Sequence, residues 1–484
     1  MLFHSKLFLA FFPTVVLAFF LMPQRRRWIV LLAASYAFYM AWRPEYGLLL
    51  IASTAVDYFI AFRVHEAQER LRKKAWLGVS LAVNLGLLAY FKYSNFALEA
   101  FADILGPLGW SFQAPQLDIL LPIGISFYTF QTLGYTLDIY WGRRAPERHF
   151  GLFALYVSFF PQLVAGPIER STSLLPQFRQ VQRFELQRVI SGLSLMLLGF
   201  FKKLVIADRA ADFVDLVYNH PHEQSGFSVL MGSYLFTIQI YCDFSAYSDI
   251  AIGAARVLGF DLMENFRRPY FARSIPDLWR RWHISLTTWL KDYLYTALAS
   301  SKRSPWRTRR NMVIVFIAVG VWHGAAWTFV AFGAYHAALM VLSHMAMPRI
   351  ARFKASWGIR GRRDRVWGLC AVVLTYHLWT ISAVFFRGTS ITASLEMLQR
   401  ILTWSGPAGA WQQVLARLGG FEPGILLASI AALFTFEWMS KDIDSRDWAI
   451  VLPQTLRPAL AACTVVAVLI FADLGKSPFY YFQF

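Results

Sequence analysis

Charge is scarce in this chain, and negative charge scarcest. Only 16% of its 484 residues are Asp, Glu, Lys or Arg, against about a quarter in a typical soluble protein. Acids number 29 against 47 basic residues, a formal net charge of +18. Cysteine is nearly missing. Cys242, Cys370 and Cys463 are scattered through apolar tracts without metal-ligand spacing, so they read as small core residues rather than a disulfide framework or zinc site. Polar linkers that would separate soluble domains are absent. So are internal repeats, which weakens any analogy with inverted-repeat transporters. With no glycine-rich phosphate loop, no G-x-S-x-G elbow and no Cys–His pairing, nothing points to a covalent nucleophile.

Apolar sequence is what the chain has in abundance. Hydrophobic residues make up 57% of it, and mean hydropathy is +0.43. Apolar runs alternate with short basic connections, the pattern of a polytopic α-helical membrane protein. The run 7–22 lacks a small-residue cleavage site, and its basic cluster Arg25–Arg27 follows it. A secretory signal has the opposite order, so 7–22 is expected to be a retained first span with its N-terminus outside.

About 20 apolar residues cross a bilayer as a helix. Candidate spans are 7–22, 28–42, 46–62, 75–91, 119–141, 150–165, 188–206, 228–258, 311–345, 366–386, 423–440 and 458–472. Allowing for tilt and broken segments, roughly 11–13 crossings are expected. The connections around Arg25, Arg63–Lys74, Arg143–Arg148, Lys302–Arg310 and 348–365 hold about half of the 47 basic residues. Their acids are Glu66, Glu69, Glu147 and Asp364. This bias puts the basic loops in the cytoplasm and reports topology and anionic lipid rather than nucleic acid.

The stretch 159–306 is too polar for plain spans and too apolar for a soluble loop. Pro161, Pro167, Pro269, Pro276 and Pro305 interrupt helix there. Non-helical backbone at membrane depth survives only when lodged in protein or lining a cavity, so re-entrant or interfacial helices around a central chamber are expected. The whole chain, 1–484, is read as one membrane domain with a motif-bearing core at 159–345.

Ionisable side chains in apolar tracts are functional candidates by default. His323 lies in Val-Trp-His-Gly-Ala-Ala-Trp, 321–327, between Trp322 and Trp327. It reads either as a polar bridge between helices or as a reactive group. His336 lies too far along for the spacing of four that a two-histidine zinc motif needs, and no metal is expected. Residues 278–294 have the periodicity of one amphipathic helix, with Trp279, Trp282 and His283 on the apolar side and Arg281 on the other. His283 reads either as a hydrogen-bonded core histidine or as a site residue. In 240–253, Asp243, Ser245, Tyr247, Ser248 and Asp249 stand in apolar surroundings. The carboxylates either orient a histidine, cap a broken helix, or pair with arginines such as Arg267, Arg268, Arg280 or Arg281.

Several ordered motifs carry a resemblance: Tyr-Cys-Asp-Phe-Ser-Ala-Tyr-Ser-Asp-Ile-Ala-Ile-Gly (241–253), Glu-Asn-Phe (264–266) with Pro-Tyr (269–270), Trp-Arg-Arg-Trp-His-Ile-Ser-Leu (279–286) and Val-Trp-His-Gly-Ala-Ala-Trp (321–327). Leu-Pro-Ile-Gly-Ile-Ser-Phe-Tyr (121–128), Ala-Gly-Pro-Ile (165–168), Lys-Asp-Tyr-Leu-Tyr (291–295) and the closing Tyr-Phe-Gln-Phe (481–484) support them. Over nearly its whole length the chain resembles the membrane-bound O-acyltransferase family. Within it, the likeness is to the bacterial branch containing the membrane subunit of alginate O-acetylation.

That resemblance implies acyl transfer within a multi-pass protein of the bacterial inner membrane. It implies His323 as catalytic, His283 lining the same chamber, and acetyl-coenzyme A as a donor substrate with no bound cofactor. Acetyl is expected to pass towards a periplasmic acetyltransferase partner that modifies an exported polysaccharide. Trp322, Trp327, Asp243, Tyr247, Trp279, Arg281 and His336 are the candidate substrate-contacting residues. A neutral histidine suits removal of a hydroxyl proton near pH 7. His323 is therefore expected to be the general base, with His283 orienting it or serving the oxyanion. Transfer of D-alanine from a carrier protein to teichoic acid, and a transporter or flippase with histidine proton relays, are the alternative readings.

Overall fold

Apolar runs longer than a bilayer is thick leave the backbone no partner but itself, and helix follows. The computed structural model describes residues 1–110, 112–299, 304–419, 421–440, 456–471 and 479–480, and among these no strand occurs. Six helices among them are long and apolar enough to span a membrane: Glu45–Glu66, Arg70–Leu108, Leu186–Tyr218, Trp327–Ser356, Arg362–Arg387 and Glu422–Met439. Lys6–Leu21 and Ala461–Phe471 are shorter apolar helices. The protein is an all-α, polytopic membrane protein. The closing 481–484 motif and basic residues 302 and 303 lie outside the described residues.

The other expected spans are helices of different shape. The run 150–165 is helical only over Phe150–Ser158, because Phe159-Phe160-Pro161 leads into turns. The run 119–141 becomes helical only at Ile125, after Gly124 in a left-handed conformation (φ +81°). The 228–258 region is one continuous helix, Gly226–Val257. Helices at Asp208–Tyr218, Ile391–Thr403 and Ala410–Leu418 fall largely or wholly outside the expected spans.

The chain divides into two compact units, one of residues 1–196 and 247–263, the other of 197–246 and 264–484. The first holds a carboxylate that hydropathy alone does not reveal. Asp57, fully buried on Glu45–Glu66, accepts hydrogen bonds from Ser80 Oγ at 2.7 Å and from Asn84 Nδ2 at 2.8 and 2.9 Å. Thr132 Oγ1 donates to Asn84 Oδ1 at 3.1 Å. Three helices are thereby tied by one polar junction, which satisfies groups that would be costly against lipid.

The second unit contains His283, His323 and His336. Residues 305–356 form a helical hairpin, Pro305–His323 and Trp327–Ser356, rather than one span. Gly324 and Ala326 are fully extended between them. The two helices cross closely at glycines. A Cβ on Gly320 would lie 2.2 Å from Phe329 O and 2.9 Å from Gly333 Cα, distances no side chain tolerates.

Candidate active site

His323 is the last residue of Pro305–His323, and the extended link beyond it turns the chain sharply into the second helix. Its ring is 3% exposed and lies edge-on to Phe332 and Phe386, with centroids 5.8 and 5.3 Å away. It lines a small pocket together with Phe236, Thr237, Ile240, Trp282, Phe332, Trp379, Ser382, Ala383 and Phe386. The cavity is apolar on most sides, with His323, Thr237 and Ser382 among its few polar side chains.

The expected amphipathic helix at 278–294 is broken at the residue that matters. Ile275–Trp279 ends, a turn follows, and Ile284–Trp289 begins. His283 sits at the break in a left-handed conformation, φ +44° and ψ +54°. A non-glycine residue there is uncommon and is held only where the surroundings over-determine it. Here the clamp is Asn265. Its carbonyl accepts from Ile284 N at 2.9 Å, while its side-chain oxygen accepts from Ser285 N at 3.2 Å and Ser285 Oγ at 2.9 Å. Arg267 N also donates to Arg281 O at 2.9 Å, pinning the two segments together.

Asn265 also orients the His283 ring. His283 Nδ1 lies 3.2 Å from the same Asn265 oxygen. That atom takes a backbone N–H from Ser285, so it is oxygen and not nitrogen, and His283 Nδ1 carries the proton. The ring, 0% exposed, stands edge-on to Phe244 at 4.7 Å. It packs 5.5 Å from Trp322 and 6.5 Å from His323, centroid to centroid. The two histidines are thus neighbours, although only His323 is part of the cavity wall.

The remaining expected site residues fall into distinct surroundings. His336 is fully buried and accepts a hydrogen bond at Nδ1 from Trp279 Nε1 at 3.4 Å. It packs behind Phe332 and Trp379, which line the cavity. Trp322 packs against both His283 and His323, with centroids 5.5 and 5.2 Å away. Trp327 begins the second helix and is 43% exposed. Arg281 pairs with Asp277 at 3.1 Å. Asp243 pairs with Lys203 at 2.7 Å, and Lys203 also meets Asp208 at 2.8 Å. Tyr247 belongs to the first unit, packed 4.6 Å from Phe3 with its hydroxyl at the backbone of Val164 and Ala165.

Sequence reasoning passed over Asn265, Thr237 and the Trp379–Phe386 face. Asn265 stood in a quoted motif without a role. Thr237 and Trp379 sit in apolar helices where one hydroxyl or one indole carries no signal of its own, and only the packing of Gly226–Val257 and Arg362–Arg387 around His323 singles them out.

Comparison with known proteins agrees with the motif pattern. Residues 149–386 match the membrane-bound O-acyltransferase family. The chain is 35% identical over 445 residues to a probable alginate O-acetylase of Pseudomonas aeruginosa, covering 90% of this chain and 81% of that one. It is 32% identical over the full length of both chains to a probable alginate O-acetylase of Pseudomonas putida. A peptidoglycan O-acetyltransferase of Helicobacter pylori is 33% identical over 84% of this chain and 80% of its own. The chain belongs to the membrane-bound O-acyltransferase family.

Proposed function

We propose that the protein is an O-acetyltransferase of the bacterial inner membrane. It takes acetyl from cytoplasmic acetyl-coenzyme A for the O-acetylation of an exported or cell-surface polysaccharide, and hands the acetyl group on with a periplasmic acetyltransferase as partner. The observation that carries the reading is His323 at the wall of a buried, largely apolar cavity. A base there meets its substrate out of water, where proton transfer and charge stabilisation count for more than in solvent. His323 takes the proton of the attacking hydroxyl, and its place in the last turn of its helix favours the imidazolium that forms. His283, held by Asn265, is the positioning residue that fixes Trp322 and His323 from behind. The relatives whose names specify alginate and peptidoglycan support a polymeric acceptor.

The test is His323→Ala in the native host. The variant is expected to insert at the wild-type level while acetyl groups disappear from the surface glycan, measured by mass spectrometry. Normal acetylation would sink the assignment. Carrier-dependent transfer of D-alanine to teichoic acid, with no turnover of acetyl-coenzyme A, would replace it with the aminoacyl reading.

A further inference from the structure

An acyl transfer needs a donor for the oxyanion as well as a base, and His283 is not placed to be it. Its one ring N–H in the neutral form is committed to Asn265, and the residue is not part of the cavity wall. Of the two hydroxyls that do line the cavity, Ser382 Oγ donates to Trp379 O at 2.6 Å, a bond to its own helix. Thr237 makes the same kind of bond to its own helix, Oγ1 to Tyr234 O at 2.7 Å, but its Oγ1 also lies 2.9 Å from the hydroxyl of Tyr376. Tyr270 donates its hydroxyl to the Thr237 carbonyl, fixing the backbone of the same residue.

This arrangement has one proton to spare. Thr237 donates to Tyr234 O, a carbonyl already inside the i→i+4 ladder of Gly226–Val257, and Tyr376 then donates to Thr237. Rotation of the Thr237 hydrogen alone, with no heavy atom moving, releases it from Tyr234 O at a residue that lines the same cavity as His323. The Tyr376 hydroxyl still donates to the same oxygen, and such a chain strengthens its terminal donor.

We propose that Thr237 is the oxyanion donor of the acyl transfer, with Tyr376 as its positioning residue; this rests on the acyltransferase reading of His323. The step balances within the cavity. His323 takes the acceptor's hydroxyl proton as the acceptor oxygen bonds to the thioester carbonyl carbon. The carbonyl π pair moves onto oxygen, where Thr237 donates to it. When that pair returns, the C–S bond breaks, and the leaving thiolate takes the proton back from His323.

The experiment uses the full-length protein in nanodiscs with acetyl-coenzyme A as the probe and water as acceptor, reading thiol release with a chromogenic disulfide. Thr237→Val keeps the shape and removes the hydroxyl. Loss of one preorganised oxyanion donor costs roughly 10²–10³-fold in kcat, so that loss is expected with KM nearly unchanged. Thr237→Ser is expected to restore activity to within about tenfold of wild type, and Tyr376→Phe to give a smaller loss in kcat, again at constant KM. Wild-type kcat in Thr237→Val, or a loss that Thr237→Ser does not rescue, overturns the proposal. So does a full loss in Trp282→Phe alongside an active Thr237→Val, which would make the indole the donor. Should Thr237→Val fail to accumulate, Thr237→Ala and Tyr376→Phe carry the test on the same split. His323→Ala run alongside separates the two readings. An inactive His323→Ala with an active Thr237→Val removes only the oxyanion role, whereas an active His323→Ala removes the reaction itself.

Discussion

His283 and Asn265 form the hinge-pin of the site: one side-chain oxygen of Asn265 meets His283 Nδ1 at 3.2 Å and both donors of Ser285. The left-handed backbone of His283 and the orientation of its ring therefore depend on one fully buried amide. Ordinary helix would have carried the imidazole elsewhere. The break places it beside Trp322 and His323.

Asn265→Ala is expected to leave three buried donors without their acceptor, at about 1–3 kcal/mol for each fully unsatisfied group. The variant should melt several degrees lower in detergent and lose most of its activity. Asn265→Asp keeps an oxygen in place and should retain more of both. Equal behaviour of the two variants in a thermal-shift assay would contradict this account of the clamp.

Gly320→Ala tests the helical hairpin. The added methyl meets Phe329 O at 2.2 Å, so Pro305–His323 and Trp327–Ser356 must move apart and carry His323 away from the cavity wall. Overpacking of this kind costs about 1–3 kcal/mol. Activity should fall further than the stability loss explains, because a displacement of about 1 Å at a reacting group can cost 10²-fold. Comparing thiol release at a temperature well below the melting point separates the two effects.

Ala383→Leu fills the cavity directly. The position is 4% exposed and lines the space beside His323. The expected result is a protein that still folds, with a stability change of about 1–3 kcal/mol or less and little or no acetyl turnover. Wild-type turnover in this variant would show that the substrate does not enter there.

Lys203 stands between Asp208 and Asp243 at 2.8 and 2.7 Å, so removing the cation takes the countercharge from a buried carboxylate and a largely buried one. Lys203→Met is expected to cost about 3–5 kcal/mol and to reduce the protein recovered from membranes. Asp243→Asn leaves the Lys203–Asp208 pair intact and should be far milder. A severe loss of activity in Asp243→Asn with stability unchanged would instead place Asp243 among the groups that touch substrate.

Much of this architecture is legible in one dimension, for a physical reason. A bilayer demands long apolar helices, and hydropathy reads them directly, so Glu45–Glu66 and Arg362–Arg387 appear in the sequence with nearly their true bounds. The positions of breaks are less legible. The 278–294 periodicity is compatible with a continuous helix, and the preference for a turn at His283 comes from Asn265, eighteen residues earlier. In the same way nothing local names Lys203 as the partner of Asp243, forty residues away.

The sequence by itself determined the class, the motif set and the identity of His323 as the residue to watch, since an imidazole in an apolar tract is costly enough to stand out without any neighbour. Tertiary structure alone decided which side chains share its cavity. Thr237, Trp379, Ser382 and Phe386 come from two other helices, and whether a hydroxyl faces lipid, backbone or substrate depends on how helices pack, not on its own position in the chain. His283 needed both. Its type is written in the motif, while its conformation, proton and orientation are set by a contact that exists only after folding.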